Sequence, residues 1–159
     1  MRNITLCAAL AAATLAAAPI RAETMVKDID VTADVTAIGN PRAAAYWSHV
    51  SDDLKSALAA RLADRLDPEQ GVTVDVDLDE LSLANSYESA AGIADARIAG
   101  QVKILSGNGA DDTKVYDLSV GIDATYLPVG VDLAKVTSDS PERYRAMIDA
   151  FTDHVAKSI

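Results

Sequence analysis

Four segments of the chain alternate apolar and polar residues with a period of two, and this pattern constrains the fold more than any other feature. The segments are residues 29–37, 72–79, 94–104 and 116–126. Successive side chains of a β-strand point to opposite faces, so each segment predicts a strand with one buried and one exposed face. Strands that are covered on both sides are apolar on both faces, and none of these segments has that pattern. The sequence therefore predicts a sheet with one face on the core and the other in water.

Two other segments carry apolar residues at helical spacing. In the first, Asn40 and Pro41 suit the N-cap and the first helical position, and one continuous helix is expected to run to Leu66. Its apolar stripe consists of Trp47, Val50, Leu54, Leu58, Leu62 and Leu66. The second helix opens at Ser140 and Pro141 by the same capping logic. Its stripe consists of Tyr144, Met147, Ile148, Phe151, Val155 and Ile159.

The order of elements is thus β-α-β-β-β-α. Two amphipathic helices need one apolar surface, and strands with one buried face supply it. We expect an α/β (α+β) two-layer sandwich, in which a mostly antiparallel four-stranded sheet carries both helices on one face. No internal repeat or linker divides residues 23–159, which are therefore expected to form a single domain. Strand order is left open.

Two details of the sheet can also be predicted. The alternation changes phase after Glu80, which is how a β-bulge appears in a sequence. The last two strands should form an antiparallel hairpin in which opposed residue numbers sum to about 220. That register would set Arg97 opposite Asp123 and Lys103 opposite Asp117, and such pairs are stabilising.

The first 22 residues have the pattern of an export signal. Arg2 precedes a 15-residue apolar run, Ile4–Ala18, and Ala22 is a small residue that suits a cleavage point before Glu23. The run is shorter than the roughly 20 residues of a membrane-spanning helix. We therefore expect residues 1–22 to be a cleaved signal peptide and the mature chain to be periplasmic, with no membrane span. The rival interpretation makes Met25 the true start, which would leave the protein in the cytoplasm.

Charge and cysteine content exclude several classes of function. The chain has 14 basic and 24 acidic residues, and loss of Arg2 and Arg21 with the signal peptide changes the net charge from −10 to −12. Neutralising phosphate requires clustered Lys and Arg, so nucleic acid is not an expected partner. Cys7 is the only cysteine and lies in the predicted signal peptide. A mature chain without cysteine can form no disulfide, thiolate zinc site or iron–sulfur cluster.

The stretch "VTVDVDLDELSL" raises the question of a cation site. Asp75, Asp77 and Asp79 have the spacing that opens a calcium-binding loop, but Glu80 and Ser86 occupy the places of its glycine and its bidentate glutamate. Val76 and Leu78 between the acids have the pattern of core-facing strand residues. We expect a solvated strand face, with a weak divalent-cation site as the alternative. The alternation predicts two bases on the outward face of the sheet, Arg97 and Lys103, and eight acids, namely Asp30, Asp34, Asp75, Asp77, Asp79, Asp95, Asp117 and Asp123.

The remaining candidates for chemistry are weaker. His49 has Asp52 and Asp53 within one helical turn, and His154 follows Asp153, so each could form a histidine–carboxylate pair. No nucleophile motif accompanies either pair, and exposed histidines on polar helix faces are expected. Trp47 is expected in the core, and "SGNGADD" in a turn between strands. No catalytic, cofactor-binding or metal-binding residue is assigned.

The export signal, the β-α-β-β-β-α order and the long first helix after "GNP" together resemble small bacterial envelope proteins. The families concerned are lipopolysaccharide-assembly and ABC-transport auxiliary lipoproteins. The lipid-bearing cysteine of those families has no counterpart here, since Cys7 lies at the start of the apolar run. The resemblance implies a non-enzymatic accessory or binding role, with another envelope protein as partner and no cofactor. Two alternatives remain, namely a weak divalent-cation-binding protein and a hydrolase-type enzyme.

Overall fold

The structure is a computed structural model, and it describes residues 23–83, 96–106, 113–122, 124–132 and 135–159. The predicted signal peptide, the loop 84–92, Asp95, Asp123 and most of the predicted "SGNGADD" turn lie outside these ranges. Within them, no helix is both long and apolar enough to cross a bilayer.

Four strands and three helices make up the described fold. The strands are β1 (Val26–Ala33), β2 (Val72–Ser82), β3 (Arg97–Ser106) and β4 (Lys114–Gly121). The helices are α1 (Pro41–Tyr46), α2 (Val50–Arg61) and α3 (Pro141–Ser158). The strand order in the sheet is β1-β2-β3-β4. The β1–β2 pair is parallel, and the β2–β3 and β3–β4 pairs are antiparallel.

One apolar core joins the helices to one face of the sheet. Helix α2 lies against β1 and helix α3, and α3 also contacts β3 and β4. The sheet contributes one row of opposed residues that belong to the core or pack against it, namely Val31, Val76, Val102 and Tyr116. The helix layer contributes fully buried side chains, among them Trp47, Leu54, Leu58, Met147 and Phe151. The predicted two-layer sandwich with both helices on one face is confirmed.

The fourth strand ends at Gly121, before the predicted end at Tyr126, and residues 124–126 form a 3₁₀ turn. The first strand is also shorter than predicted. It ends at Ala33, and residues 35–37 form a 3₁₀ turn. Asp34 caps this turn, because its Oδ1 accepts hydrogen bonds from the Thr36 backbone N–H at 3.1 Å and from the Thr36 hydroxyl at 2.5 Å. A side chain bonded to the backbone two residues ahead competes with strand pairing. The alternation through residue 37 therefore overstates the length of the strand.

The first helix is interrupted where a continuous one was expected. Helix α1 ends at Tyr46 and α2 begins at Val50, with a turn at residues 47–49 between them. Asn40 caps α1 as predicted, since its Oδ1 accepts from the Arg42 backbone N–H at 2.9 Å. The turn does not break the apolar stripe, because Trp47 at its first position and Val50 at the start of α2 are both fully buried.

The prediction that the apolar stripe of the first helix extends to Leu66 is wrong. The stripe is buried as far as Leu62, but Leu66 is 41% exposed. Leu66 lies beyond helix α2 and forms an isolated bridge to Val26. Its spacing matches the helical period, but the helix has ended before it, so it does not reach the core.

The bulge in β2 is confirmed, one residue from the expected place. Leu78 lies opposite Gly100 and Glu80 opposite Ala99, which leaves Asp79 as the extra residue. The alternation of faces resumes beyond the bulge with the opposite phase, as the sequence indicated.

The predicted hairpin register is wrong by two residues. Lys103 lies opposite Val115 and Gln101 opposite Asp117, so the opposed numbers sum to 218. The expected pair of Lys103 with Asp117 therefore does not face across the strands. A shift of two leaves every side chain on its predicted face.

Candidate functional site

The face of the sheet that points away from the helices carries two cross-strand rows of mostly polar side chains. One row runs through Thr32, Asp77, Gln101 and Asp117, and the other through Asp30, Asp75, Lys103 and Val115. No described helix covers this surface, which we call the open face.

The contacts within the first row are long. The Thr32 hydroxyl donates to Asp77 Oδ1 at 3.3 Å. Gln101 Nε2 donates to Asp117 Oδ1 at 3.5 Å. Exposed contacts of this length contribute little to stability, so both carboxylates remain accessible to a partner.

The ion pairs of the second row are equally loose. Lys103 Nζ lies 4.0 Å from Asp75 Oδ2. At the edge strand, Lys55 of α2 reaches Asp30, with 3.7 Å between Nζ and Oδ1. Ion pairs at this separation and exposure are worth little, so these carboxylates also remain open to new contacts.

Acids outnumber bases on the open face. Among the described residues of the strands, the pairing register places six acids there, against the two bases Arg97 and Lys103. The acids are Asp28, Asp30, Asp75, Asp77, Glu80 and Asp117. The face is therefore electronegative.

The predicted acidic set is corrected by the structure in two places. Asp34 lies after β1 and caps the 3₁₀ turn, and Asp79 is the bulge residue. The predicted face positions of Asp95 and Asp123 fall outside the described ranges. The phase change at the bulge instead brings Glu80 onto the face. No group of three or more His, Cys, Asp or Glu side chains suited to a metal ion occurs among the residues described.

A second surface feature is a groove of about 580 Å³ in the helix layer. It lies between the α1–α2 segment and the N-terminal half of α3. Its apolar lining comes from Ala45, Tyr46, Pro141, Tyr144 and Ile148, and its polar lining from Ser48, His49, Asp53, Asp139, Arg145 and Asp149. We call it the helix-layer groove.

Aromatic packing sets the shape of the groove. The rings of Tyr46 and Tyr144 meet edge to face, with centroids 5.4 Å apart and planes at 90°. Trp47 lies behind them, 4.7 Å from the Tyr46 ring and 5.7 Å from the Tyr144 ring, and is fully buried. The turn between α1 and α2 places Trp47 in the core while Tyr46 stays half-buried at the surface. Edge-to-face pairs of this type add stability beyond the area that they bury.

Both tyrosine hydroxyls have polar partners, and the contact of Tyr144 is the shorter of the two. The Tyr144 hydroxyl donates to Asp53 Oδ2 at 2.6 Å, and the Tyr46 hydroxyl donates to the Ser140 carbonyl oxygen at 3.5 Å. Partial burial raises the pKa of Tyr144, and the bond to the Asp53 carboxylate raises it further. Burial likewise raises the pKa of Tyr46, against the opposing effect of the nearby Arg143. Both hydroxyls therefore stay protonated and act as donors at neutral pH.

The first histidine candidate, His49, lines the helix-layer groove. The nearby Asp53 carboxylate accepts the hydroxyl of Tyr144. The Ser48 hydroxyl donates to the Ala45 carbonyl oxygen at 2.8 Å. The hydroxyl that lies next to His49 in the chain is thus directed to the backbone and not to the imidazole.

The second histidine candidate, His154, lies near the far end of α3. Its Nδ1 is 2.8 Å from the Ala150 carbonyl oxygen one helical turn earlier. Its neighbour Asp153 forms an ion pair with Arg61 of α2. Asp153, the carboxylate expected to pair with His154, therefore links α2 to α3.

The helix-layer groove has no signature in the amino-acid sequence. The helical spacing places Tyr144 in the apolar stripe of the last helix, and Tyr46 precedes Trp47 at the end of α1. No periodicity within either helix links the two tyrosines, and only tertiary packing brings their rings together. The spacing in the sequence indicates the Asp53 carboxylate as a partner for His49, whereas the structure pairs it with Tyr144.

Comparison with known proteins identifies no family. No family model matches the chain, and no curated protein matches it. Among solved structures, a minor lipoprotein from Acinetobacter baumannii is similar at 14% sequence identity and a TM-score of 0.45. The match covers 86% of this chain and 91% of that one. A likeness at this level transfers no function.

Proposed function

We propose that the chain is an exported, non-enzymatic accessory protein of the cell envelope that acts by binding another envelope protein. The observation that carries the proposal is the open face, a sheet surface with no described helix on it and, among the described strand residues, with six acids against two bases. Export rests on the signal-peptide pattern of residues 1–22. The open face is the partner-binding surface in this proposal.

The negative charge of the open face favours a partner with a basic surface. Four carboxylates of the open face have only long contacts of their own, namely Asp30, Asp75, Asp77 and Asp117. A basic surface on the partner would therefore gain new ion pairs without breaking strong ones. The net charge of −12 that residues 23–159 carry adds a long-range attraction for basic proteins and repels acidic ones.

The size of the face indicates a modest interface. Four strands about 4.8 Å apart, each with about eight residues rising about 3.3 Å, present on the order of 500 Å². A standard interface buries about 800 Å² on each partner. Binding through this face alone would therefore be transient and sensitive to salt.

Photo-crosslinking tests the proposal in cells that export the protein. A photoreactive residue replaces Asp77 on the open face in one strain and Asp52 on α2 in a matched control, since both are exposed acids. We expect an adduct with a basic envelope protein from position 77 and none from position 52. Purified partner should then bind more weakly as salt rises and when Asp75 and Asp117 are changed to Asn. The proposal would be overturned by equal yields of the adduct from both positions. It would also be overturned if neither salt nor the two substitutions changed the binding affinity.

A further inference from the structure

We propose that the helix-layer groove binds an organic cation, that is, an ammonium or guanidinium group carried on an apolar body. This site is separate from the open face, because its lining residues come from the helices and from the segment that leads into α3. It goes beyond the proposed function and does not depend on it.

The size and lining of the groove suit a small ligand. Its volume of about 580 Å³ lies within the range of about 300–1,000 Å³ that ligand pockets occupy. Ala45, Pro141 and Ile148 supply apolar surface for the body of the ligand. Polar side chains supply contacts for a charged group.

The charges that line the groove favour a cation. Among the described residues, the lining contains three carboxylates, Asp53, Asp139 and Asp149, and one guanidinium, Arg145. Asp139 is already paired with Arg42, at 2.8 Å between Nη2 and Oδ2. Asp53 and Asp149 then remain against Arg145, so the charged lining residues carry a net negative charge, which favours a cation over an anion.

The tyrosine ring beside Asp53 adds a second attraction for a cation. An ammonium or guanidinium group within about 6 Å of an aromatic ring is attracted by the negative face of the ring. The hydrogen bond from Tyr144 holds the Asp53 carboxylate close to that ring. Arg143 lies near Tyr46 and opposes a second cation there. The cationic group is therefore placed at the Tyr144–Asp53 end of the groove.

Two sources could provide such a group. It could belong to a free small amine, or it could be a lysine or arginine side chain of a protein. The recognition chemistry is the same in both cases, so the probes must separate them.

Fluorescence of Trp47 gives a direct readout. It is the only tryptophan in the chain, and its ring lies 5.7 Å from that of Tyr144. The probes are phenethylamine, 2-phenylethanol and 3-phenylpropionate, which share an aromatic body and differ in charge, together with the blocked dipeptide acetyl-Phe-Lys-amide. Calorimetry repeats each titration at low and at physiological salt.

We expect saturable binding of phenethylamine that is at least tenfold tighter than that of the alcohol, and no binding of the carboxylate. Asp53→Asn should weaken amine binding at least fivefold, whereas Asp52→Asn, the same change one residue away on the exposed helix surface, should not. Thermal melts verify that both variants fold. Tighter binding of the dipeptide identifies a protein side chain as the ligand, and tighter binding of the amine identifies a free amine. Equal affinity for the three phenyl probes, no saturable binding of either cation, or equal loss in the two variants would overturn the proposal.

Discussion

Gly100 of β3 lies opposite Leu78 of β2, and a Cβ atom on Gly100 would come within 2.8 Å of the Leu78 Cα atom. The same Cβ would overlap the backbone carbonyl oxygen of Asp77. The bulge at Asp79 follows directly after this close approach. The two strand backbones can meet there only because Gly100 has no side chain.

We predict that Gly100→Ala destabilises the protein by about 1–3 kcal/mol, because the strand backbones must move apart. Gly39→Ala is the matched control, since a Cβ at Gly39 would have no atom within 4 Å. That substitution should be neutral or slightly stabilising, because it restricts the unfolded chain. Urea unfolding of the two variants and the wild type measures the difference. Equal stability of the two variants would show that the close approach is not a constraint.

The second prediction concerns Asp77 on the open face. Asp77→Asn removes one of several like charges and keeps an oxygen that can accept the Thr32 hydroxyl. Stability should be unchanged or slightly raised at low salt, by less than about 0.5 kcal/mol, and the gain should shrink as salt screens the remaining acids. Thermal melts at two salt concentrations provide the measurement.

The same pair of proteins tests the cation-binding alternative. A metal that binds only the folded state raises the melting temperature. With a solvated face, micromolar calcium should leave both melting temperatures unchanged. A rise in the wild type that Asp77→Asn abolishes would establish a cation site instead.

Tyr144 makes the free energy of unfolding depend on pH in the alkaline range. Burial, together with the bond to Asp53, raises its pKa in the folded state above the ordinary value. The contribution of Tyr144 to the free energy of unfolding is therefore complete below about pH 10, the pKa of tyrosine in an unfolded chain. It is lost as the pH rises from there towards the pKa in the folded state. Tyr144→Phe should cost no more than about 1.5 kcal/mol at neutral pH, the value of one hydrogen bond.

The stability of the Tyr144→Phe variant should also fall less steeply than that of the wild type above about pH 10. The variant has no group at this position to ionise, so it loses nothing there as the pH rises. Urea unfolding across the alkaline range measures both slopes, and parallel slopes would contradict the assignment.

Processing of the N-terminus tests export. We predict that the exported protein begins at Glu23, and that replacing Ala22 by Tyr leaves the precursor uncleaved, because signal cleavage requires a small residue at that position. Mass spectrometry of periplasmic and cytoplasmic fractions provides the measurement. An intact chain that starts at Met25 and remains in the cytoplasm would refute the prediction.

The faces of the strands could be predicted from the sequence because a period of two needs no tertiary information. Val74, Val76, Val102 and Val120 are all buried as the alternation indicates. The phase change near Glu80 likewise marked the bulge. Each of these features is local, so a single chain segment carries the whole signal.

Features set by contacts between distant segments were missed. The register of β3 and β4 depends on the geometry of the intervening turn, and a shift of two residues leaves the pattern of faces unchanged. The helix-layer groove depends on the contact of Tyr46 with Tyr144, which no spacing along the chain encodes. The Asp34 cap is a local feature that was also missed, because the alternation continued beyond it.

The order of the strands in the sheet has a consequence for assembly. Because the spatial order β1-β2-β3-β4 equals the order along the chain, each strand after the first can join the free edge left by the strand before it. No described strand has to be inserted between two others that are already paired. Only the parallel β1–β2 step requires a crossover, and α1 and α2 supply it. A chain that emerges N-terminus first can therefore build this sheet in the sequence in which its segments appear.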